Sequence, residues 1–177
     1  MKKVILCTSN DHRHKYVANT LATLFPSLKV IYEKSKMVGN TAHFTERYEV
    51  EKEMLEFDQL KALDQTTIDK GQLNDVTIVD LINRFCPEFI ITYGCSIISD
   101  YFLETILAKK INVHLGLSPY YRGTGTNFWP VYNGEMEFCG VTFHKLTSQI
   151  DGGKILGQYT IEKKLYPSIH HMGNSLI

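Results

Sequence analysis

Asn112 and His114 sit two residues apart in the run INVH (111–114), and an Asp-Gly-Gly triplet follows at 151–153. Apolar Ile111, Val113 and Leu115 alternate with them, which predicts a short strand. Side chains two apart on a strand leave from one face, so the amide and the imidazole project together at its carboxyl end. Asp151 adds a carboxylate held in a tight turn. An amide, an imidazole and a carboxylate around one pocket can polarise a carbonyl, stabilise an oxyanion and move a proton. Each residue also has a plain structural use: a strand histidine can satisfy a core hydrogen bond, and Asp-Gly-Gly can be only a turn. A loop carrying Gly116, Gly123 and Gly125 separates the pair from the carboxylate, and a second strand-like run over 140–146 carries Thr142 and His144 on one face.

The elements that must position these groups read as alternating strands and helices. Residues 2–8 (KKVILCT) are an apolar run after a charged start, the pattern of a strand covered on both faces of a parallel sheet. Ser9, Asn10 and Asp11 supply capping side chains for a helix in which Tyr16, Val17, Leu21, Leu24 and Phe25 recur until Pro26. A second short strand over 28–32 completes a strand–helix–strand unit, which implies a right-handed crossover.

Residues 33–42 are polar and irregular, and a charged amphipathic helix is predicted over 44–63 with its charges on a solvated face. Residues 71–75 break it, and a helix over 77–85 ends before Pro87. EFIITY (88–93) gives a third buried strand. Beyond the turn 94–98, Ser99 and Asp100 cap a helix reaching Lys110, with Phe102, Leu103, Ile106 and Leu107 toward the sheet. A short helix over 126–132 holds Trp129, read as core. A last strand spans 153–162, and a final helix starts at Ile169 and reaches Ile177 with no stop signal, so a shortened C-terminal end is expected. The fold class is α/β: a Rossmann-like, mostly parallel twisted sheet with helices on both faces, in one domain over 1–177.

Ligands of such folds collect at strand carboxyl ends and helix amino ends. Arg13 and His14, in the first turn beyond the first strand, are therefore candidates for an anionic group on a substrate. No GxGxxG or P-loop pattern accompanies them, which argues against a generic NAD- or ATP-binding domain.

Lys plus Arg (19) balances Asp plus Glu (19), so no net basic field favours nucleic acid. Four scattered cysteines, Cys7, Cys86, Cys95 and Cys139, lack CxxC spacing and read as thiols in a reducing compartment, with no metal site. No apolar run has the length of a membrane span, and the five-residue stretch after Met1-Lys2-Lys3 is too short for a signal peptide. The reading is a cytoplasmic protein with no membrane partner; a homodimer is left open.

Asn112-x-His114, LSPYYRG (117–123), GVTFH (140–144) and DGGKIL (151–156), taken together, resemble the folate-dependent formyltransferase family. That family includes glycinamide ribonucleotide, methionyl-tRNA and sugar N-formyltransferases. The resemblance runs from about Pro87 to Gln158, with the N-terminal half matching in outline. It implies the formyltransferase fold and transfer of a formyl group from 10-formyltetrahydrofolate to a primary amine, with Asn112, His114 and Asp151 catalytic. Asn112 and His114 would donate to the oxyanion, and Asp151 would take the amine's proton. Tyr93, Gly94, Cys95, Ser96, Ile97 and Ile98 would line the folate slot, the backbone meeting the pterin edge and the two isoleucines its flat face. Tyr120, Arg122, Thr142 and His144 join Arg13 and His14 as substrate-side residues.

Two departures bear on the acceptor. Leu115 follows the histidine where many relatives have proline, and the loop reads LSPYYRGTGT (117–126). The wording SPYYRGTGTNFWP (118–130) is closest to enzymes acting on nucleotide-linked amino sugars of surface-polysaccharide (O-antigen) biosynthesis, so a dTDP-linked amino sugar is the expected acceptor. The alternatives are glycinamide ribonucleotide in purine biosynthesis, a formyltetrahydrofolate hydrolase-like relative, or a folate-binding relative without turnover.

Overall fold

The computed structural model describes residues 1–35, 42–57, 63–162 and 164–177. Strands β1 (Lys3–Ser9), β2 (Ser27–Glu33), β3 (Asp64–Ile68), β4 (Phe89–Tyr93), β5 (Lys109–His114), β6 (Gly140–Lys145) and β7 (Ile155–Thr160) form one sheet. Their spatial order is β3-β2-β1-β4-β5-β6-β7. The five strands from β3 to β5 are parallel, and β6 and β7 are antiparallel. The chain steps outward from β1 to β3 and then crosses back to place β4 on the other side of β1. Connections on either side of that junction leave in opposite directions, which opens a crevice at the strand carboxyl ends.

The helices are α1 (His12–Leu24), α2 (Ala42–Met54), α3 (Val76–Phe85), α4 (Asp100–Thr105), α5 (Trp129–Tyr132) and α6 (Ile169–Asn174). The period of two along β1 explains its unbroken apolar run. Ile5 and Cys7 join Ile31, Val79, Ile82 and Phe102 in one core layer, while Val4 and Leu6 join Val30, Tyr32 and Ala18 in the other. Each such aliphatic side chain contributes about 1.5–3 kcal/mol by leaving water. None of the helices among the described residues is long and apolar enough to cross a membrane.

Several elements differ from the sequence reading. β3 is an unforeseen strand: Asp64, Gln65, Thr66 and Thr67 look like loop, yet they pair with β2 at the sheet edge, where most side chains face water. The helix predicted over 44–63 ends at Met54, and residues 58–62 lie outside the described residues, as do 36–41 of the expected irregular stretch. Its charges are not all solvated, since Glu51 is 1% exposed. The helix predicted to reach Lys110 stops at Thr105, because pairing with β4 already claims Lys109 onward for β5. Leu107, expected to face the sheet, is 96% exposed in the connecting turn. The helix expected over 126–132 shrinks to α5, and its Trp129 is half exposed rather than core. Asp11 occupies the cap position of α1 without capping it; its carboxylate accepts the Ser9 hydroxyl instead. The final helix closes at Asn174.

Candidate active site

Sheet register assembles the centre of the site. Thr92 on β4 pairs with Asn112 on β5, and Asn112 pairs with His144 on β6, so three polar side chains form a row on one face. The Thr92 hydroxyl donates to Asn112 Oδ1 at 2.7 Å, which orients the amide so that Nδ2 donates onward. Nδ2 reaches His144 Nε2 at 3.0 Å and Asp151 Oδ1 at 3.1 Å. His144 Nδ1 lies 2.9 Å from the Lys145 carbonyl, which can only accept, so that nitrogen carries a proton, and Nε2 sits between Asn112 Nδ2 at 3.0 Å and Asp151 Oδ1 at 3.5 Å.

His114, one pleat further along β5, faces Asp151 Oδ2 with Nδ1 at 3.2 Å and donates from Nε2 to the Tyr121 carbonyl at 2.9 Å. Both ring nitrogens are therefore engaged, which leaves no unclaimed ring N–H for the oxyanion role expected of it. Asp151 has a positive φ of 46°, a conformation that aspartate tolerates better than most side chains. This bends the β6–β7 connection back over the row, where Oδ2 also accepts the Gly123 amide at 2.9 Å. Burial would raise the Asp151 pKa, but hydrogen bonds from His144 and Gly123 and the charge on His114 hold it below the usual value. His144 moves the other way. Burial would lower it, but the Asp151 carboxylate and the Lys145 carbonyl lift it above the ordinary imidazole value.

A cleft of about 990 Å³ opens over these residues at the carboxyl ends of β4 and β5. Tyr93, Gly94, Cys95, Ser96, Ile97 and Ile98 all line it. Residues 147–151, which the sequence reading passed over apart from Asp151, form part of the same wall. Ile97 and Ile150 there are 72% and 55% exposed, leaving apolar surface for a flat ring. The loop backbone is not all available to a pterin edge. Glu33 Oε2 accepts Ser96 N–H at 2.6 Å, and Asn74 Nδ2 donates to the Ile97 carbonyl at 2.9 Å. Glu33 is 2% exposed and also accepts Gly71 N–H at 2.8 Å, so it ties the 94–98 loop to the turn after β3. Burial raises the Cys95 thiol to about 12, so at neutral pH it is protonated and a poor nucleophile.

Arg13 and His14 reach the cleft from α1, beside Arg47 of α2. Tyr120, Arg122 and Thr142 are not part of the cleft wall. Tyr120 packs on Phe138 at 4.6 Å between ring centroids, and Arg122 lies in an exposed turn. Thr142 is fully buried, donates to the Gly116 carbonyl at 2.6 Å and accepts Ser118 N–H and Gln158 Nε2; it braces the loop after β5. Arg47 and Glu51 are legible in the sequence only as an i,i+4 charge pair, which on a charged helix reads as surface decoration.

Residues 15–175 match the family described as formyl transferase. The chain belongs to that family. Bifunctional polymyxin resistance protein ArnA of Wigglesworthia glossinidia brevipalpis is 35% identical over 91 residues, which span 51% of this chain but only 14% of that protein. Phosphoribosylglycinamide formyltransferase of Streptococcus pneumoniae TIGR4 shares the fold at a TM-score of 0.70 and 16% identity, over 99% of this chain and 91% of its own. A sugar N-formyltransferase of Shewanella sp FDAARGOS_354 does so at 0.65 and 20% identity, over 99% of this chain and 65% of its own. In this chain, Asn112, His114 and Asp151 occupy the crevice that the reversal of strand order creates.

Proposed function

We propose that the chain is an N-formyltransferase that moves the formyl group of 10-formyltetrahydrofolate to the amino group of a nucleotide-linked amino sugar. The observation that carries the chemistry is the convergence on Asp151 of Asn112 Nδ2 at 3.1 Å and His114 Nδ1 at 3.2 Å, at the floor of one cleft. The amine attacks the formyl carbon, its nitrogen–carbon bond forms, and the bond from that carbon to the folate nitrogen breaks. The amine gives up one proton and the departing folate nitrogen gains one, so the exchange balances with no covalent enzyme intermediate.

Asp151 accepts the amine's proton in place of the Gly123 N–H that now occupies Oδ2. Asn112 Nδ2 donates to the oxyanion with the N–H it now gives to Asp151 Oδ1, an interaction of about 3 kcal/mol for groups of this kind. His114 Nδ1, 3.2 Å from Oδ2, keeps the carboxylate in position. The exposed Ile97 and Ile150 suit the pterin face.

The sugar acceptor is supported by the wording of the 118–130 loop and by the sugar N-formyltransferase among the fold relatives. Phosphoribosylglycinamide formyltransferases share the fold as closely, which keeps glycinamide ribonucleotide as the second reading. Turnover of 10-formyltetrahydrofolate, assayed with a dTDP-linked 4-amino sugar, with glycinamide ribonucleotide and with no amine, separates them. Turnover with the sugar is expected. Turnover with the ribonucleotide alone, or formate release without amine, overturns the assignment.

A further inference from the structure

Tyr121 lies between Tyr120 and Arg122, the two loop residues picked out by the sequence reading, yet its own backbone is what touches His114. The loop after β5 meets the reacting groups at three points. The Tyr121 carbonyl accepts His114 Nε2–H at 2.9 Å, the Gly123 N–H donates to Asp151 Oδ2 at 2.9 Å, and the Ser118 hydroxyl donates to the Asp151 carbonyl at 3.2 Å. The Tyr121 N–H turns back to the Leu117 carbonyl at 3.0 Å. Its side chain points away from the site. The phenol donates to Glu135 Oε2 and accepts Asn133 Nδ2 at 3.0 Å, and none of these three residues lines the cleft. Both partners are tied to α5: the Asn133 N–H donates to the Trp129 carbonyl at 2.9 Å and the Glu135 N–H to the Pro130 carbonyl at 2.7 Å. The bond to Glu135 raises the Tyr121 pKa, so the phenol keeps its proton and remains a donor at neutral pH.

An imidazole turns through a broad torsion at its second side-chain bond, so a histidine ring needs a partner on its far nitrogen to keep the near one aimed. In His114 the near nitrogen is Nδ1, 3.2 Å from Asp151 Oδ2, and the far one is held by the Tyr121 carbonyl. The loop lies directly against the ring: a Cβ at Gly116 would stand 2.5 Å from His114 Nε2. We propose that Tyr121 and Glu135 are positioning residues, in which the phenol–carboxylate bond anchors the loop to the turn after α5 so that the Tyr121 carbonyl holds the His114 ring with Nδ1 on Asp151. This reading rests on the proposed function for its effect on turnover, and on the contacts alone for the orientation of the ring. The anchor works from outside the cleft, so its loss alters how the reacting groups are aimed while leaving the walls that meet the substrates in place. Misplacing a reacting group by about 1 Å can cost up to about 10²-fold in rate.

Tyr121→Phe removes the hydroxyl and keeps the ring beside Phe138, 6.2 Å away between centroids, so the variant is expected to fold. Nitrogen NMR of the histidine rings, with the His114 signals assigned by their absence in His114→Gln, reports the ring directly. Tyr121→Phe and Glu135→Ala are each expected to shift those signals. In steady-state kinetics each should lower kcat about tenfold and leave both KM values within about twofold. Glu135→Gln, whose amide oxygen still accepts the phenol, should recover most of the loss. The double variant Tyr121→Phe/Glu135→Ala should be no slower than either single one, because both break the same bond. Unmoved His114 signals in Tyr121→Phe overturn the proposal. So does a double variant whose losses add, or a change confined to KM, which would place Tyr121 against substrate instead. If the wild-type chain transfers no formyl group, the proposed function fails, and the His114 signals still decide whether the phenol aims the ring.

Discussion

His114 Nδ1 and Asp151 Oδ2 lie 3.2 Å apart, joining the last residue of a central strand to a turn beyond the next one. The antiparallel β6 leads away from the carboxyl end of β5, and the β6–β7 connection then brings Asp151 back to His114. It gives Asp151 two duties, as anchor for the Gly123 loop and as proton acceptor in the proposed transfer.

Asp151→Asn tests these duties separately. The amide keeps the shape of the carboxylate but loses its charge, so turnover is expected to fall about 10²–10⁴-fold, the range of a lost general base. Stability should drop by only about 1–2 kcal/mol, the scale of the weakened hydrogen bonds to Gly123 and Asn112. Steady-state kinetics alongside urea unfolding measures both. Turnover within about threefold of wild type would remove Asp151 from the chemistry.

The pairing of His144 with Asp151 sets a pH window. The His144 pKa is raised above its ordinary 6.5, so its stabilising contribution is complete below that value and is lost as pH rises through the lifted one. The Asp151 pKa is lowered below 3.8, so its contribution is present above that value and is lost as pH falls through the lowered one. Urea midpoints taken between about pH 6 and about pH 9 should therefore decline on the alkaline side in the wild type. His144→Gln should flatten that decline. An identical slope in both proteins would show that the pair does not govern alkaline stability.

The sequence exposes the parts of this site that obey a short period and hides those that depend on register or burial. Asn112 and His114 are legible because a strand repeats every two residues. Thr92, Asn112 and His144 form a row only once β4, β5 and β6 are in register, and no local pattern relates positions 92, 112 and 144. Glu33 and Glu51 look solvent-facing, one closing a strand and the other on a charged helix, yet both are nearly inaccessible. β3 escapes notice because an edge strand can be polar on both faces. Gly153 reads only as half of a turn, and the backbone packed against it supplies a stronger reason for a glycine there.

Gly153 and Gly157 should respond in opposite ways to alanine. A Cβ at Gly153 would stand 1.7 Å from the Lys145 carbonyl oxygen, part of a residue already pinned in the hairpin by its N–H donating to the Lys154 carbonyl at 2.9 Å. Gly153→Ala must therefore displace the turn that carries Asp151, with an expected loss above about 2 kcal/mol and a collapse of activity. A Cβ at Gly157 meets nothing within 4 Å, so Gly157→Ala should be neutral or stabilise by up to about 1 kcal/mol. Equal stability of the two variants in urea would contradict the packing around the turn.

Glu33 makes the most specific kinetic prediction, because it touches the candidate folate loop from behind and lines no part of the cleft. Its two carboxylate oxygens accept one backbone N–H each, from Gly71 and from Ser96. In Glu33→Gln one of those oxygens becomes an N–H₂, which meets an N–H whichever way the amide turns, so one end of the clamp is lost. Stability is expected to fall by about 1–3 kcal/mol. If the 94–98 loop binds folate, KM for 10-formyltetrahydrofolate should rise about tenfold while kcat changes little, since Asn112, His114 and Asp151 keep their contacts. The KM for the amine should stay put. A drop in kcat with both KM values unchanged would mean that the clamp supports the reacting groups, and that folate is held elsewhere.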